Sequence, residues 1–366
     1  MYVDVKKQEA ASLKNLPVHT SRRAKSRFAE NLLFIALSLL VVGLLTCGFI
    51  IESYILSQTP LTFLFGDNRS SCSPDVVGLT SVRYHSDHEY YNKLRAVTPL
   101  KPPVFYGEHT ALCKSRIHLK RKHYSFSKCL PISGRKDPTF CSGADRMDVL
   151  EQKTSGHICR ASVLHMLLVE VYEELQALGK SPVILYGSLL GAVRDRSMIP
   201  FTEDADIGYS GRLRVTDDLH RLLWEKGYHL FFQDIWRVCM APTHPLAAKL
   251  YDPTQSISAD FEMPYLDLYY MNQQRDSGEW KIDEMNRING SNLISDDKVR
   301  PFSQVMINGQ RFDTVHDPDY FLTRMYGNDF MTPKPRDEGK QQLVFVKTNG
   351  IGPDALNSIK RHERDT

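Results

Sequence analysis

Between Leu185 and Tyr209 the chain reads LYGSLLGAVRDRSMIPFTEDADIGY, and this stretch holds most of the residues that can do chemistry. Gly187-Ser188 follows an apolar strand, Val183 to Tyr186, and precedes a helical run, Leu189 to Arg194. A glycine there permits tight backbone approach, and the exposed amides of a helix start hold phosphate. Ser188 adds a hydroxyl, although Gly-Ser pairs also mark ordinary turns. Further on, Thr202, Asp204 and Asp206 alternate, so on a strand they share one face while Glu203 takes the other. Two carboxylates on one face repel each other unless a cation lies between them, and Mg²⁺ or Mn²⁺ suits hard oxygen ligands. The competing reading is a solvent-facing acidic strand. Ile207 and the apolar strand before Gly187 argue instead for a position near the core. Asp267 sits mid-strand in the apolar run Tyr265 to Met271, where a charge needs a partner. A metal shared with Asp204 and Asp206 would supply one. Asp260 and Glu262 are a rival acidic pair, interrupted by Pro264.

The elements that must position these groups are legible in the periodicity. Leu164, Leu167, Leu168, Val171, Leu175 and Leu178 recur at helical spacing and predict an amphipathic helix from Ala161, ended by Gly179 and Pro182. An alternating strand is predicted from Phe201 to Tyr209. Further strands are predicted at His229 to Phe232, Trp236 to Met240 and Tyr265 to Met271. Helices and strands alternate, so the class is mixed α and β.

The chain has 366 residues, enough for two ordinary domains or one large domain with extensions. Its 46 basic and 43 acidic residues nearly cancel, which weighs against a nucleic-acid binder. The mean hydropathy of -0.34 excludes a polytopic membrane protein. One segment departs from that average. Leu32 to Ile51 is twenty residues without a charge, long enough to span a bilayer core. Lys6, Lys7, Lys14, Arg22, Arg23, Lys25 and Arg27 precede it, so a cytoplasmic N-terminus and a type II signal anchor are predicted. Residues 1–31 then form a cytoplasmic tail, 32–51 the transmembrane anchor, 52–110 a proline-containing lumenal stem, 111–345 a lumenal catalytic domain and 346–366 a tail. Asn68 and Asn289 head glycosylation triplets. Six cysteines follow the anchor: Cys72, Cys113, Cys129, Cys141, Cys159 and Cys239. An even number in an oxidising compartment permits full pairing, but spacing does not fix the connectivity and some buried thiols can stay free. Lys114 to Lys128 is locally basic, either a solvated surface or a dock for an acidic or phosphate-bearing acceptor.

Gly-Ser, then Asp-x-Asp, then an apolar-Asp-apolar strand resembles the nucleotidyltransferase superfamily. More narrowly, GSLLGAVR followed by IPFTEDADIG is similar to the LicD/fukutin family signature, and the stretch from His316 to Pro333 is similar to that family's closing helix and YG loop. The resemblance spans roughly 161–335. It implies an α/β (α+β) nucleotidyltransferase-like mixed sheet flanked by helices, here preceded by a transmembrane helix and a stem. It also implies transfer of a phospho-alcohol group (ribitol phosphate, choline phosphate or similar) from a CDP-linked donor to a glycan hydroxyl, with Mg²⁺ or Mn²⁺ as cofactor. On that basis Asp204, Asp206 and Asp267 would hold metal, and Asp267 would also take the hydroxyl proton. Gly187 and Ser188 would seat the donor phosphates. Arg194 would reach a phosphate or remain a surface arginine, and Lys249 and Arg324 are weaker candidates. Tyr326 and Gly327 would shape the site edge. The family often has Trp at Phe201 and an acid at Thr202, and the second change removes one possible ligand. The implied setting is the Golgi membrane, with the endoplasmic reticulum as the alternative; the C-terminal KRHERDT is no retrieval signal.

Two other classes compete. A nucleotide-sugar glycosyltransferase also uses Asp-x-Asp, but it requires neither the upstream Gly-Ser turn nor Asp267. A non-catalytic lumenal binding protein could retain the fold, and Thr202 is the feature that favours it.

Overall fold

A computed structural model describes residues 35–47, 70–86, 88–97, 101–118, 123–151, 157–214, 217–257, 264–285 and 293–333. The chain divides into two compact units, Met1–Arg69 and Ser70–Thr366. In the first, residues 35–47 are helical with exposed side chains. No helix among the described residues is long and apolar enough to cross a membrane. Residues 32–34 and 48–51 of the predicted anchor lie outside the described residues, as do Asn68, Asn289, Asp260 and Glu262.

The second unit begins with β1 (Ser71–Cys72) and α1 (Glu89–Ala96) and continues through β2 (Phe105–Tyr106), which pairs with β1. The predicted basic segment folds as a hairpin of β3 (Ser115–His118) and β4 (His123–Phe126). Helix α2 (Arg160–Ala177) follows, then β5 (Val183–Ile184), α3 (Tyr186–Asp195) and β6 (Asp204–Ser210). Next come α4 (Asp218–Glu225) and the hairpin β7 (Tyr228–Gln233) and β8 (Ile235–Met240). Strand β9 (Tyr265–Gln273) is the centre of a seven-stranded mixed sheet. Along one edge β9 pairs in parallel with β6. Along the other, its first half meets β8 and its second half meets β10 (Trp280–Ile282), both antiparallel. Strand β11 (Leu293–Ile294) extends the sheet beyond β10. A separate hairpin and a final helix, α5 (Pro318–Tyr326), complete the unit. Asp317 starts that helix by accepting from the Tyr320 amide at 2.9 Å, with proline in the first turn. The mixed α/β sheet expected from the sequence is present.

Alternation along β6 and β9 creates two unlike faces. Ala205, Ile207, Leu266 and Leu268 point into the core and are essentially unexposed. Asp204, Asp206, Tyr265, Asp267 and Tyr269 take the other face.

Two expectations are corrected. Residues 70–110 are not a stem, because they belong to the compact unit. Tyr90, Tyr91 and Leu94 of α1 are buried, and Cys72 is bonded to Cys113. Nor is α2 amphipathic: Glu170, Glu173 and Glu174 are buried with its leucines. Burial of these acids is tolerated because each meets a partner. Ser86 and Tyr91 donate to Glu173 at 2.8 and 3.0 Å, and His88 lies 3.0 Å from it. His85 lies 3.1 Å and Lys226 2.7 Å from Glu174.

Glu170 is the least compensated of the three acids. Burial pushes its carboxyl from 4.5 up to about 7, with Lys226 opposing the shift. The folded value lies above the unfolded one. The stability this group lends is therefore full below 4.5 and is lost as pH rises through about 7. Glu170→Gln is expected to match the wild type at about pH 4 and to exceed it by about 2–3 kcal/mol at about pH 8. Denaturant unfolding across that range checks this, and a difference constant in pH would contradict it.

Candidate active site

The register of three strands assembles the site. Asp206 on β6 is aligned with Asp267 on β9, and Arg237 on β8 is aligned with Asp267 from the other side. Aligned residues share a face, so Arg237, Asp267 and Asp206 form one row across the sheet. The next row aligns Asp204 with Tyr265.

Helix α3 abuts the Asp206 end of the row. Its first residue, Tyr186, adopts φ of +43°, a left-handed conformation that turns the chain sharply from β5 into the helix. The Tyr186 ring packs 4.5 Å from that of Tyr269, and its hydroxyl donates to the Asp283 carbonyl at 2.9 Å. A Cβ on Gly187 would sit 3.1 Å from Asp206 Oδ2, so glycine is what lets the helix start approach the carboxylate. The Ser188 amide donates to that oxygen at 3.1 Å, and the Asp206 amide donates to Ser188 Oγ at 2.8 Å. Asp206 thus caps α3 from outside, where the positive end of the helix dipole favours an anion.

Protein donors hold all three carboxylates. Arg237 Nε donates to Asp267 Oδ1 at 2.7 Å. The Tyr269 hydroxyl lies 3.1 Å from Asp206 Oδ1 and 3.2 Å from Asp267 Oδ2. Thr202 donates to Asp204 Oδ1 at 3.2 Å, and Tyr265 donates more distantly, at 3.5 Å, to its Oδ2. A tyrosine has one proton, so full bonding at both Tyr269 contacts requires one carboxyl to be protonated and to donate back.

The electrostatics run the same way. Burial pushes Asp206 well above the usual carboxylate range, and the charges of Asp204 and Asp267 push it further. Burial raises Asp204 as well. Asp267 is pushed up to about 7 by burial, with Arg237 as the main opposing influence. The Tyr326 hydroxyl on α5 is raised by burial and then by the charges of Asp206 and Asp204.

The structure therefore gathers Gly187, Ser188, Asp204, Asp206 and Asp267, but not all as expected. Ser188 is 3% exposed and locks β6 to α3 rather than facing outward. Arg194 stands in the last turn of α3, about 9 Å along the axis from Ser188, and its Nε holds Asp195 at 3.1 Å. Lys249 donates to the Val149 carbonyl at 2.6 Å and also to that of Glu151. Arg324 donates to the Leu293 carbonyl at 2.7 Å. All three arginine and lysine heads have such local acceptors. Thr202 precedes β6 instead of lying on it.

Among the described residues, no group of three or more His, Cys, Asp or Glu is arranged to hold a metal ion. The three aspartates share a face and two rows, yet donors from the protein engage their oxygens, which is where the arrangement departs from a ready-made ligand set. The donor chemistry nevertheless fits Mg²⁺ or Mn²⁺. All the groups are hard oxygens, and among the described residues two buried acids and the half-buried Asp204 face one bonded arginine, Arg237.

Residues that reading the sequence missed are Arg237, Tyr186, Tyr265 and Tyr269. Three of them were accessible, and two by alternation alone: Tyr265 and Tyr269 flank Asp267 at spacing two, so they share its face. Arg237 is a lone charge within Ile235–Met240, the same signal that singled out Asp267.

The described cysteines of the second unit form three bonds, Cys72–Cys113, Cys129–Cys239 and Cys141–Cys159, and Cys47 is free. No curated protein matches the chain significantly. A family model does match, over residues 181–310, about a third of the chain, and that span contains every residue of the row and the turn that abuts it. Its description is LicD/FKTN/FKRP, nucleotidyltransferase domain. Over that span the chain is similar to the nucleotidyltransferase domain of the LicD/fukutin-like family, and the carboxylate row lies within the matched residues.

Proposed function

We infer that this domain transfers a phospho-alcohol group from a CDP-linked donor to a glycan hydroxyl. The observation that carries the reading is the meeting of two buried carboxylates, Asp206 and Asp267, and the half-buried Asp204 beside the start of α3 on one sheet face. Asp204 and Asp206, with Asp267, would hold Mg²⁺ or Mn²⁺. When bound, that cation supplies charge neutralisation for the donor diphosphate. Gly187 clears the approach to the helix start, and the positive end of α3 favours phosphate oxygens there. Ser188 fixes Asp206 through the paired amide and hydroxyl contacts. Asp267 is the group placed to take the acceptor's proton, at Oδ2, where Tyr269 already bonds. Tyr326 and Gly327 form the rim.

The three disulfides support an oxidising compartment, and the apolar segment 32–51 supports a type II anchor, with the Golgi membrane as the setting.

Incubating the full chain with a panel of glycan acceptors and CDP-ribitol, CDP-choline or CDP-glycerol in Mn²⁺ tests the reaction. Release of CMP from one of them, lost on chelation, is the expected outcome. Turnover of UDP-sugars instead, or Mn²⁺-independent release, would sink it.

A further inference from the structure

We propose that Arg237 is a positioning residue and the resident counter-charge of the carboxylate row, holding Asp267 in place and competing electrostatically with the incoming cation. The inference rests on the reading of Asp204, Asp206 and Asp267 as cation ligands. It concerns a residue on the opposite edge of β9 from the Asp-x-Asp strand.

The geometry is specific. Arg237 is 12% and Asp267 6% exposed at the side chain, so neither charge is solvated well enough to stand alone. The guanidinium uses two different nitrogens. Nε donates to Asp267 Oδ1 at 2.7 Å, and Nη1 donates to the Gln233 carbonyl at the β7–β8 turn. Its carbon lies 5.7 Å from the centre of the Tyr265 ring. A planar fork pinned in this way fixes the carboxylate it touches, and a lysine can supply the charge but not both bonds. The other oxygen of Asp267 is held by Tyr269, which also contacts Asp206. Arg237 therefore sets the orientation of Asp267 directly and that of Asp206 through the tyrosine. Among the described residues it is also the one cation with a hydrogen bond to the three acids. A divalent ion entering beside Asp267 meets that positive charge, so affinity for the ion is held below what three acids alone would give.

Two variants of the full chain separate charge from position, with Mn²⁺ as the probe, measured at about pH 8 by calorimetry and thermal unfolding. Arg237→Gln removes both. Its metal-free Tm is expected to fall by on the order of 5–10 °C. Its Mn²⁺ affinity is expected to rise about tenfold, so that Mn²⁺ raises its Tm more than it raises that of the wild type. Arg237→Lys keeps the charge and loses the fork. Its metal-free Tm is expected to fall too, while its Mn²⁺ affinity stays within about threefold of wild type. Mn²⁺ affinity unchanged or weakened in Arg237→Gln would overturn the inference, because a merely structural arginine predicts weakening. Weakened affinity in Arg237→Lys would overturn it as well, and that variant decides alone if Arg237→Gln does not fold. Absence of any Mn²⁺ effect on the wild type removes the cation reading itself and this inference with it. A wild-type response with identical responses in both variants removes only this one.

Discussion

Asp206→Asn is expected to lower group transfer by at least about a thousandfold, roughly 4 kcal/mol of transition-state stabilisation, without weakening the metal-free fold. Both halves follow from the same contacts. An asparagine oxygen can accept the Ser188 amide, as Asp206 Oδ2 does at 3.1 Å. The new amide nitrogen can donate to the Tyr269 oxygen, which then gives its single proton to Asp267. Every polar atom of the network stays satisfied. The repulsion that pushes Asp206 upward, from burial and from Asp204 and Asp267, is removed. The metal-free Tm is accordingly expected to hold or to rise by on the order of 2–4 °C. What is lost is the central anion of the row, and with it the Mn²⁺-induced stabilisation. Parallel measurements of CMP release and thermal unfolding with and without Mn²⁺ check the result. Full activity in the variant would sink the assignment of Asp206. A large fall in metal-free Tm would show that its role is to hold α3 on β6.

How much of this was legible follows from what is local. Asp204 and Asp206 are two residues apart on one strand, and Asp267 lies in a run whose alternation is plain, so the three acids could be found by face and by their odd place among apolar neighbours. Their convergence could not, because it depends on the pairing of β6 with β9, strands separated by the β7–β8 hairpin. Arg237 was missed for that reason: its meaning comes from lying across from Asp267. The turn at Tyr186 carries a positive φ on a bulky residue, which no propensity favours, and there the tertiary site overrides the local preference. The stem reading failed differently. Prolines from Pro60 to Pro103 and the lack of a long apolar pattern described the local chain correctly. The burial of Tyr90, Tyr91 and Leu94 and the partners that residues 85–91 give to the acids of α2 are tertiary facts.

Removing the Cys129–Cys239 bond, by Cys129→Ala with Cys239→Ala, is expected to cost about 3–4 kcal/mol and to lower Tm by on the order of 10 °C. The bond closes a loop of 110 residues, against 18 for Cys141–Cys159. Chain entropy alone then makes the long bridge about 1–2 kcal/mol more stabilising than the short one. The long loop contains α2, α3 and β6, hence Asp204 and Asp206, and it ends on β8 two residues past Arg237. Cys239 is aligned with Tyr265, so the bridge also anchors the edge of β9 that carries the counter-charge. The loss should therefore reach the site as well as the fold, with the Mn²⁺-induced rise in Tm reduced in the double variant. A Tm equal to wild type, or a smaller fall than for the paired change at Cys141 and Cys159, would contradict the ranking. The same bond ties stability to compartment. A chain made where thiols stay reduced lacks all three bridges, so protein from a reducing host is expected to unfold below protein from an oxidising one by at least the deficit of the double variant.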